Sequence, residues 1–218
     1  MRFDMAELDL GARYKIVNST ITPRPIAWIT TVGEGGLVNA APYSFFNACG
    51  IEPPLVMLGM LKDMKTGSYK DTATNIAASG EFVVNLVGEA DMEAMNLSSV
   101  DAPRDIGEID YAGIETVPSE TVAPPRIVTA PVSFECRKVE MLDIGRLQTV
   151  VIGEILVAHV KDEFIADPAK LYFDTPAMKL VGRTHGGGWY ARTSDQFSID
   201  RPRFDPGRAE RTRGKSRI

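Results

Sequence analysis

Arg24–Val32 reads RPIAWITTV. β-Branched and aromatic residues dominate it. Pro23-Arg24-Pro25 bounds it on one side and Gly33-Glu34-Gly35-Gly36 on the other. Such side chains fit a pleated surface, and a glycine cluster supplies the backbone freedom of a tight turn. The stretch therefore predicts a β-strand that enters a hairpin. Leu37–Phe46 is its partner strand, interrupted or bulged at Pro42, which has no N–H to give to a ladder. After Pro53-Pro54 the apolar run LVMLGML (55–61) has the length of a buried strand.

Lys70–Ser79, KDTATNIAAS, changes character. Ala73, Ile76 and Ala77 share one helical face, Asp71 or Thr72 can cap the start, and Gly80 stands where a helix stops. Glu81–Val87 returns to strand character. Asp91–Leu97 predicts a second short helix, with Met92 and Met95 as core filler. Asp101–Pro125 is rich in turn formers and reads as a long loop over a site or a partner. Strands resume at Val132–Met141 and Leu147–Val160. The second is apolar on both sides, which suits a central or doubly buried position. The strand count with two short helices predicts a mainly β fold with α+β decorations, a closed or nearly closed antiparallel barrel.

The chain has 218 residues, which favours one decorated domain, over 1–203, with a core that needs no staples. From Arg201 the composition turns basic and poor in apolar residues, so 204–218 reads as a disordered tail or a basic arm for an acidic partner. The formal net charge of −5 argues against a nucleic-acid-binding domain. Cys49 and Cys136 form no CxxC pair and no zinc set with His159 and His185, so no metal is expected. Two separated cysteines suit a reducing compartment, the cytoplasm. No stretch approaches the roughly 20 apolar residues of a membrane helix, and the N-terminus has no apolar signal region.

No GxGxxG follows a strand, and GxxxxGK[ST], GxSxG and HExxH are absent. No nucleophile–base pair stands out. A redox cofactor, if used, must be held by the loops of a β-structure.

Three stretches in order, PRPIAWITT (23–31), NAAPYSFFN (39–47) followed by Pro53-Pro54, and KDTATNIAASGEFVVN (70–85), resemble the flavin reductase-like family. A looser match follows at LVGRTHGGGWYAR (180–192) and FSIDRP (197–202). The resemblance implies an FMN-binding split barrel. It assigns Thr30, Thr31, Ser44, Asn47, Ala48, Cys49, Lys70, Asp71, Thr72 and Asn75 to the FMN pocket. The residue chemistry suits a flavin: hydroxyls at 30, 31 and 44 for the ring edge, backbone N–H groups in a turn at 46–50, and Lys70 beside a helix start for the phosphate. Alternatives stand beside these assignments. Thr30 and Thr31 also suit a plain strand, Asp71 and Thr72 a plain cap, and Trp28 the core. Cys49 suits packing better than redox work, and His159 reads as structural. The family's late histidine follows Gly-Asp and lies near the nicotinamide. Here the context is Arg183-Thr184-His185-Gly186, so His185 is the catalytic candidate without that Gly-Asp.

The implied activity is hydride transfer from NADH or NADPH to FMN. Electrons then pass to an acceptor, to a partner monooxygenase, or leave as reduced flavin. A homodimer is implied. The competing readings are a non-enzymatic flavin carrier and a pyridoxine-phosphate-oxidase-like enzyme, which would need basic residues beyond Lys70 for its substrate phosphate.

Overall fold

The computed structural model describes residues 1–103 and 106–206. Residues 207–218, most of the basic tail, lie outside that range, and 201–206 are exposed without regular structure.

The chain begins with α1 (Leu10–Thr20), capped by Asp9, whose carboxylate accepts from Ala12 N at 2.7 Å. The strands that follow are β1 (Arg24–Pro25), β2 (Ala27–Val32), β3 (Val38–Tyr43), β4 (Phe46–Ile51) and β5 (Pro54–Leu61). Next come α2 (Asp71–Ser79), β6 (Glu81–Leu86), α3 (Met92–Leu97), α4 (Glu108–Tyr111), β7 (Thr116–Val117) and β8 (Arg126–Ile127). The long pair β9 (Val132–Ile144) and β10 (Gln148–Val160) precedes β11 (Ile165–Asp167), β12 (Tyr172–Phe173), β13 (Val181–Arg183) and β14 (Tyr190–Arg192).

Seven strands form one sheet in the order β3-β2-β6-β9-β10-β5-β4, and its pairs are antiparallel. Its two outermost strands, β3 and β4, are joined by only Ser44 and Phe45. A link that short forces the sheet to curl until its edges meet. Phe45 in that link extends the β4–β5 ladder: Gly59 N donates to Phe45 O at 2.6 Å, and a Cβ on Gly59 would stand 2.9 Å from Phe45 Cβ. The result is the nearly closed antiparallel barrel that the strand pattern predicts, of the split type that the resemblance implies.

The side-chain period of 2 divides the core. Ala27 and Ile29 point inward to join Leu58, Met60, Ile76, Phe82, Val84 and Val151. Trp28 points outward into a second cluster with Val87, Met95, Ile127 and Val181. Its indole donates to Ser98 Oγ at 2.9 Å, and the residue is 1% exposed, which places Trp28 in the core. The interior is tightly filled. A Cβ on Gly153 would lie 2.3 Å from Phe82 Cζ.

Several expectations change. Lys70, rather than Asp71 or Thr72, occupies the cap position of α2 and makes no side-chain capping bond, since an ammonium cannot accept one; the Thr72 hydroxyl donates to Asn39 Oδ1 at 2.8 Å. The expected turn at 46–50 is the strand β4, with an irregularity between Ala48 and Gly50 that leaves Cys49 unpaired. On β10, Thr149, Val151 and Gly153 are buried, whereas Gln148, Val150 and Ile152 are half-covered. The 101–125 loop carries α4 and β7. Its Glu120–Thr121 portion is pinned by the buried Glu135 of β9, which accepts from Glu120 N (2.8 Å), Thr121 N and Thr121 Oγ1 (both 2.6 Å). His159 Nε2 lies 2.7 Å from the same carboxylate, so His159 is structural as expected. Burial alone would raise the Glu135 pKa, but these donors outweigh it and hold it at about 2.

Candidate functional site

A cavity of about 740 Å³ opens beside the barrel seam. Strands β3 and β5 form its floor, and further segments converge on it: α1, through Tyr14 and Asn18; the β3–β4 link, through Ser44 and Phe45; the loop after β5; the first turn of α2; residues 98–102; and Glu108 of α4. The volume falls within the range of about 300–1,000 Å³ typical of small-molecule sites.

The loop after β5 is built by Asp63. Its carboxylate accepts from Lys65 N (3.0 Å), Thr66 N (2.7 Å) and Thr66 Oγ1 (2.9 Å), which lowers its pKa, the Thr66 donors contributing most. Gly67, at φ +75°, turns the chain so that Ser68, Tyr69 and Lys70 face the cavity. Tyr69 is fixed from behind, with its hydroxyl 3.0 Å from Asp143 Oδ1 and the Lys62 ammonium 4.7 Å from its ring centre. Lys62 is buried and pairs with Asp143 at 2.6 Å.

At the α2 start, Lys70 Nζ lies 2.9 Å from Asp101 Oδ1, with both side chains substantially exposed. No side chain caps this helix start, and Asp71 and Thr72 line the cavity there. The α2 N–H groups and Lys70 together suit an anionic group. Farther in, Asn39 donates to Glu108 Oε2 at 2.8 Å, and burial pushes the Tyr43 phenol to about 12.

Behind Ser44, outside the lining itself, stands Arg24, 5% exposed. Its Nη1 donates to Asn18 O (2.7 Å) and Ile21 O (2.6 Å), Nη2 to Thr184 O (2.8 Å), and Nε to Ser44 Oγ (3.4 Å). One guanidinium thus ties the end of α1, the β3–β4 link and the base of the 184–189 loop together. Burial lowers its pKa.

Of the residues assigned from the sequence, Ser44, Lys70, Asp71 and Thr72 meet at this cavity. Thr30 and Thr31 do not. Both are fully buried, Thr30 donating to Pro125 O at 2.5 Å and Thr31 to Asn39 Oδ1 at 3.3 Å, while Asn75 donates to Thr31 at 3.0 Å. Their hydroxyls bind strand to loop and strand to helix. Asn47, Ala48 and Cys49 are exposed on the edge strand β4, outside the cavity. His185 is exposed and stacks on Trp189, with ring centres 5.6 Å apart, also outside it. The sequence reading missed Arg24, Tyr14, Asn18, Tyr69 and Glu108. Among the described residues no cluster of His, Cys, Asp or Glu could hold a metal.

Residues 19–179 match the flavin reductase like domain. The chain belongs to the flavin reductase-like family. A protein of Deinococcus radiodurans with no assigned activity is 41% identical over 203 residues, 91% of this chain and 88% of its own. Among solved structures, the 2-nitrobenzoate 2-nitroreductase of Pseudomonas fluorescens superposes with a TM-score of 0.85 at 34% identity, over 94% of this chain and 98% of that one. Nitrilotriacetate monooxygenase component B from Bacillus cereus gives 0.86 at 28% identity, over 91% and 98%. The family's split barrel is the fold described above.

Proposed function

We propose that this protein is an FMN-dependent oxidoreductase that takes hydride from NADH or NADPH and passes the electrons to an acceptor or releases reduced flavin. The observation that carries the reading is the cavity, with Lys70 and the uncapped start of α2 on one wall and Ser44 on the other. That spread of groups fits a ligand with a phosphate at one end and a polar ring edge at the other. When bound, FMN supplies the hydride-accepting chemistry. The chain's own residues bind and orient it. Lys70 and the α2 N–H groups neutralise phosphate charge, Ser44 donates toward the ring, and Tyr69, held by Asp143 and Lys62, forms a fixed wall.

His185 is retained as the nicotinamide-side residue, since Arg24 links its loop to the cavity wall through Thr184. The names of the similar structures suggest two fates for the electrons, a small nitroaromatic acceptor or delivery to a monooxygenase.

A homodimer is part of the proposal. On the outer face of the barrel, Leu142 and Ile144 of β9 stand with Met57 and Leu61 of β5, each at least 40% exposed, beside Val150 and Ile152 of β10. A second copy would cover this contiguous apolar face and place Asn47, Ala48 and Cys49, on neighbouring β4, near the interface.

The test is NADH and NADPH oxidation measured with and without added FMN, alongside flavin affinity. Oxidation that requires FMN supports the proposal. Flavin binding without oxidation would make the protein a carrier.

A further inference from the structure

Arg24 keeps its charge inside the protein. Among the described residues no carboxylate pairs with it, and its acceptors are three backbone carbonyls and one hydroxyl. Arginine is a donor only, so the direction of the Arg24–Ser44 contact is fixed: Nε–H donates and Ser44 Oγ accepts. A hydroxyl that accepts in this way keeps its own proton to give elsewhere. Among the described residues no acceptor is hydrogen-bonded to Ser44 Oγ, and Ser44 lines the cavity. Its proton therefore has the cavity as its outlet.

We infer that Arg24 is a positioning residue. It turns Ser44 into a cation-backed donor aimed into the cavity, and so selects a ligand edge that presents an acceptor oxygen or nitrogen. The inference rests on the flavin reading, in which that edge is the pyrimidine end of the ring. A buried cation one hydrogen bond behind the donor also favours the edge when it becomes more negative, as it does on two-electron reduction. Arg24 then raises the midpoint potential of the bound flavin. Its other three contacts keep the guanidinium fixed, so the donor is set before ligand arrives.

The experiment measures dissociation constants for FMN and riboflavin, and the midpoint potential of the bound flavin, in four variants. Ser44→Ala should weaken both ligands about tenfold, the scale of one lost hydrogen bond to a charge-assisted donor. It should also shift the potential to a more negative value. Ser44→Thr, which keeps the hydroxyl, should restore both. Arg24→Met should repeat the Ser44→Ala losses, and the double variant should add nothing to Arg24→Met. An unchanged affinity and potential in Ser44→Ala would overturn the inference, and so would losses that multiply in the double variant. Should Arg24→Met fail to fold, the Ser44→Ala and Ser44→Thr pair still decides. Failure of the wild-type chain to bind any flavin overturns the functional reading, and this inference with it. Wild-type binding with unaltered variants overturns this inference alone.

Discussion

Lys70 gives the sharpest prediction, because the structure shows what it must give up to bind a phosphate. Its ammonium is already 2.9 Å from Asp101 Oδ1, in a pair whose side chains are 51% and 91% exposed. Exposed pairs contribute about 0.2–1 kcal/mol, whereas a hydrogen bond to a charged group contributes about 1.5–3 kcal/mol. Exchanging one for the other leaves a net gain of roughly 0.5–2.8 kcal/mol, so Lys70→Ala should weaken FMN binding about 2- to 100-fold. Riboflavin lacks the phosphate and should lose far less. Asp101→Asn removes the competing anion and should tighten FMN by about 1.4- to 5-fold, again sparing riboflavin. Fluorescence titration of both ligands against the three proteins is the assay. Equal losses for FMN and riboflavin in Lys70→Ala would place Lys70 at the ring or in the fold and refute the phosphate assignment. Weaker FMN binding in Asp101→Asn would refute the competition between the two anions.

Glu135 predicts a pH dependence. Its folded-state pKa, held at about 2, lies below the ordinary carboxylate value of 4.5, so it stabilises the fold above that value and loses the contribution as pH falls from there toward 2. That contribution is about 3 kcal/mol. Glu135→Gln should flatten the acid limb of stability measured by denaturant unfolding, and an unchanged limb would contradict the assignment. Gly153→Ala drives a methyl into the Phe82 ring and should lower stability by about 1–3 kcal/mol, or several degrees of Tm. Phe82→Leu in the same chain should recover part of the loss. Leu142→Glu, on the exposed outer face, should convert a dimer to a monomer by light scattering, and a wild-type chain that is already monomeric with flavin bound would end the dimer proposal.

The barrel was legible because its strands carry their own signals. RPIAWITTV, EFVVNLV and the long alternating run at 147–160 are each bounded by turn formers, and each supplies a strand to the seven-stranded sheet, the first through Ala27–Val32 while Arg24–Pro25 pairs with β13 instead. The helix at 70–79 was legible from Ile76, its neighbours and Gly80, which takes the left-handed conformation at φ +76°. Helix α1 was not. Only Asn18 on it is buried, so it has no apolar stripe to announce it, and Asp9 and Arg24 hold it through its ends instead. In the site, the run Lys70-Asp71-Thr72 and Ser44 stood out as residue types suited to an anion and a ring. Thr30 and Thr31 looked equally suitable, since a strand sequence does not reveal that its hydroxyls are spent on Pro125 and Asn39. Arg24 was hidden for the opposite reason. Its partners, Asn18, Ile21, Ser44 and Thr184, lie up to 160 positions away and meet only once the sheet has closed.

The central claim is that this barrel holds a flavin and reduces it with a nicotinamide nucleotide. The most direct measurement is the visible spectrum of the purified protein, reconstituted with FMN and freed of excess, before and after NADH or NADPH is added without oxygen. The account predicts flavin absorbance that bleaches on addition and returns when air is admitted. A protein that stays colourless after reconstitution, with no nucleotide oxidation in the presence of free FMN, would contradict it.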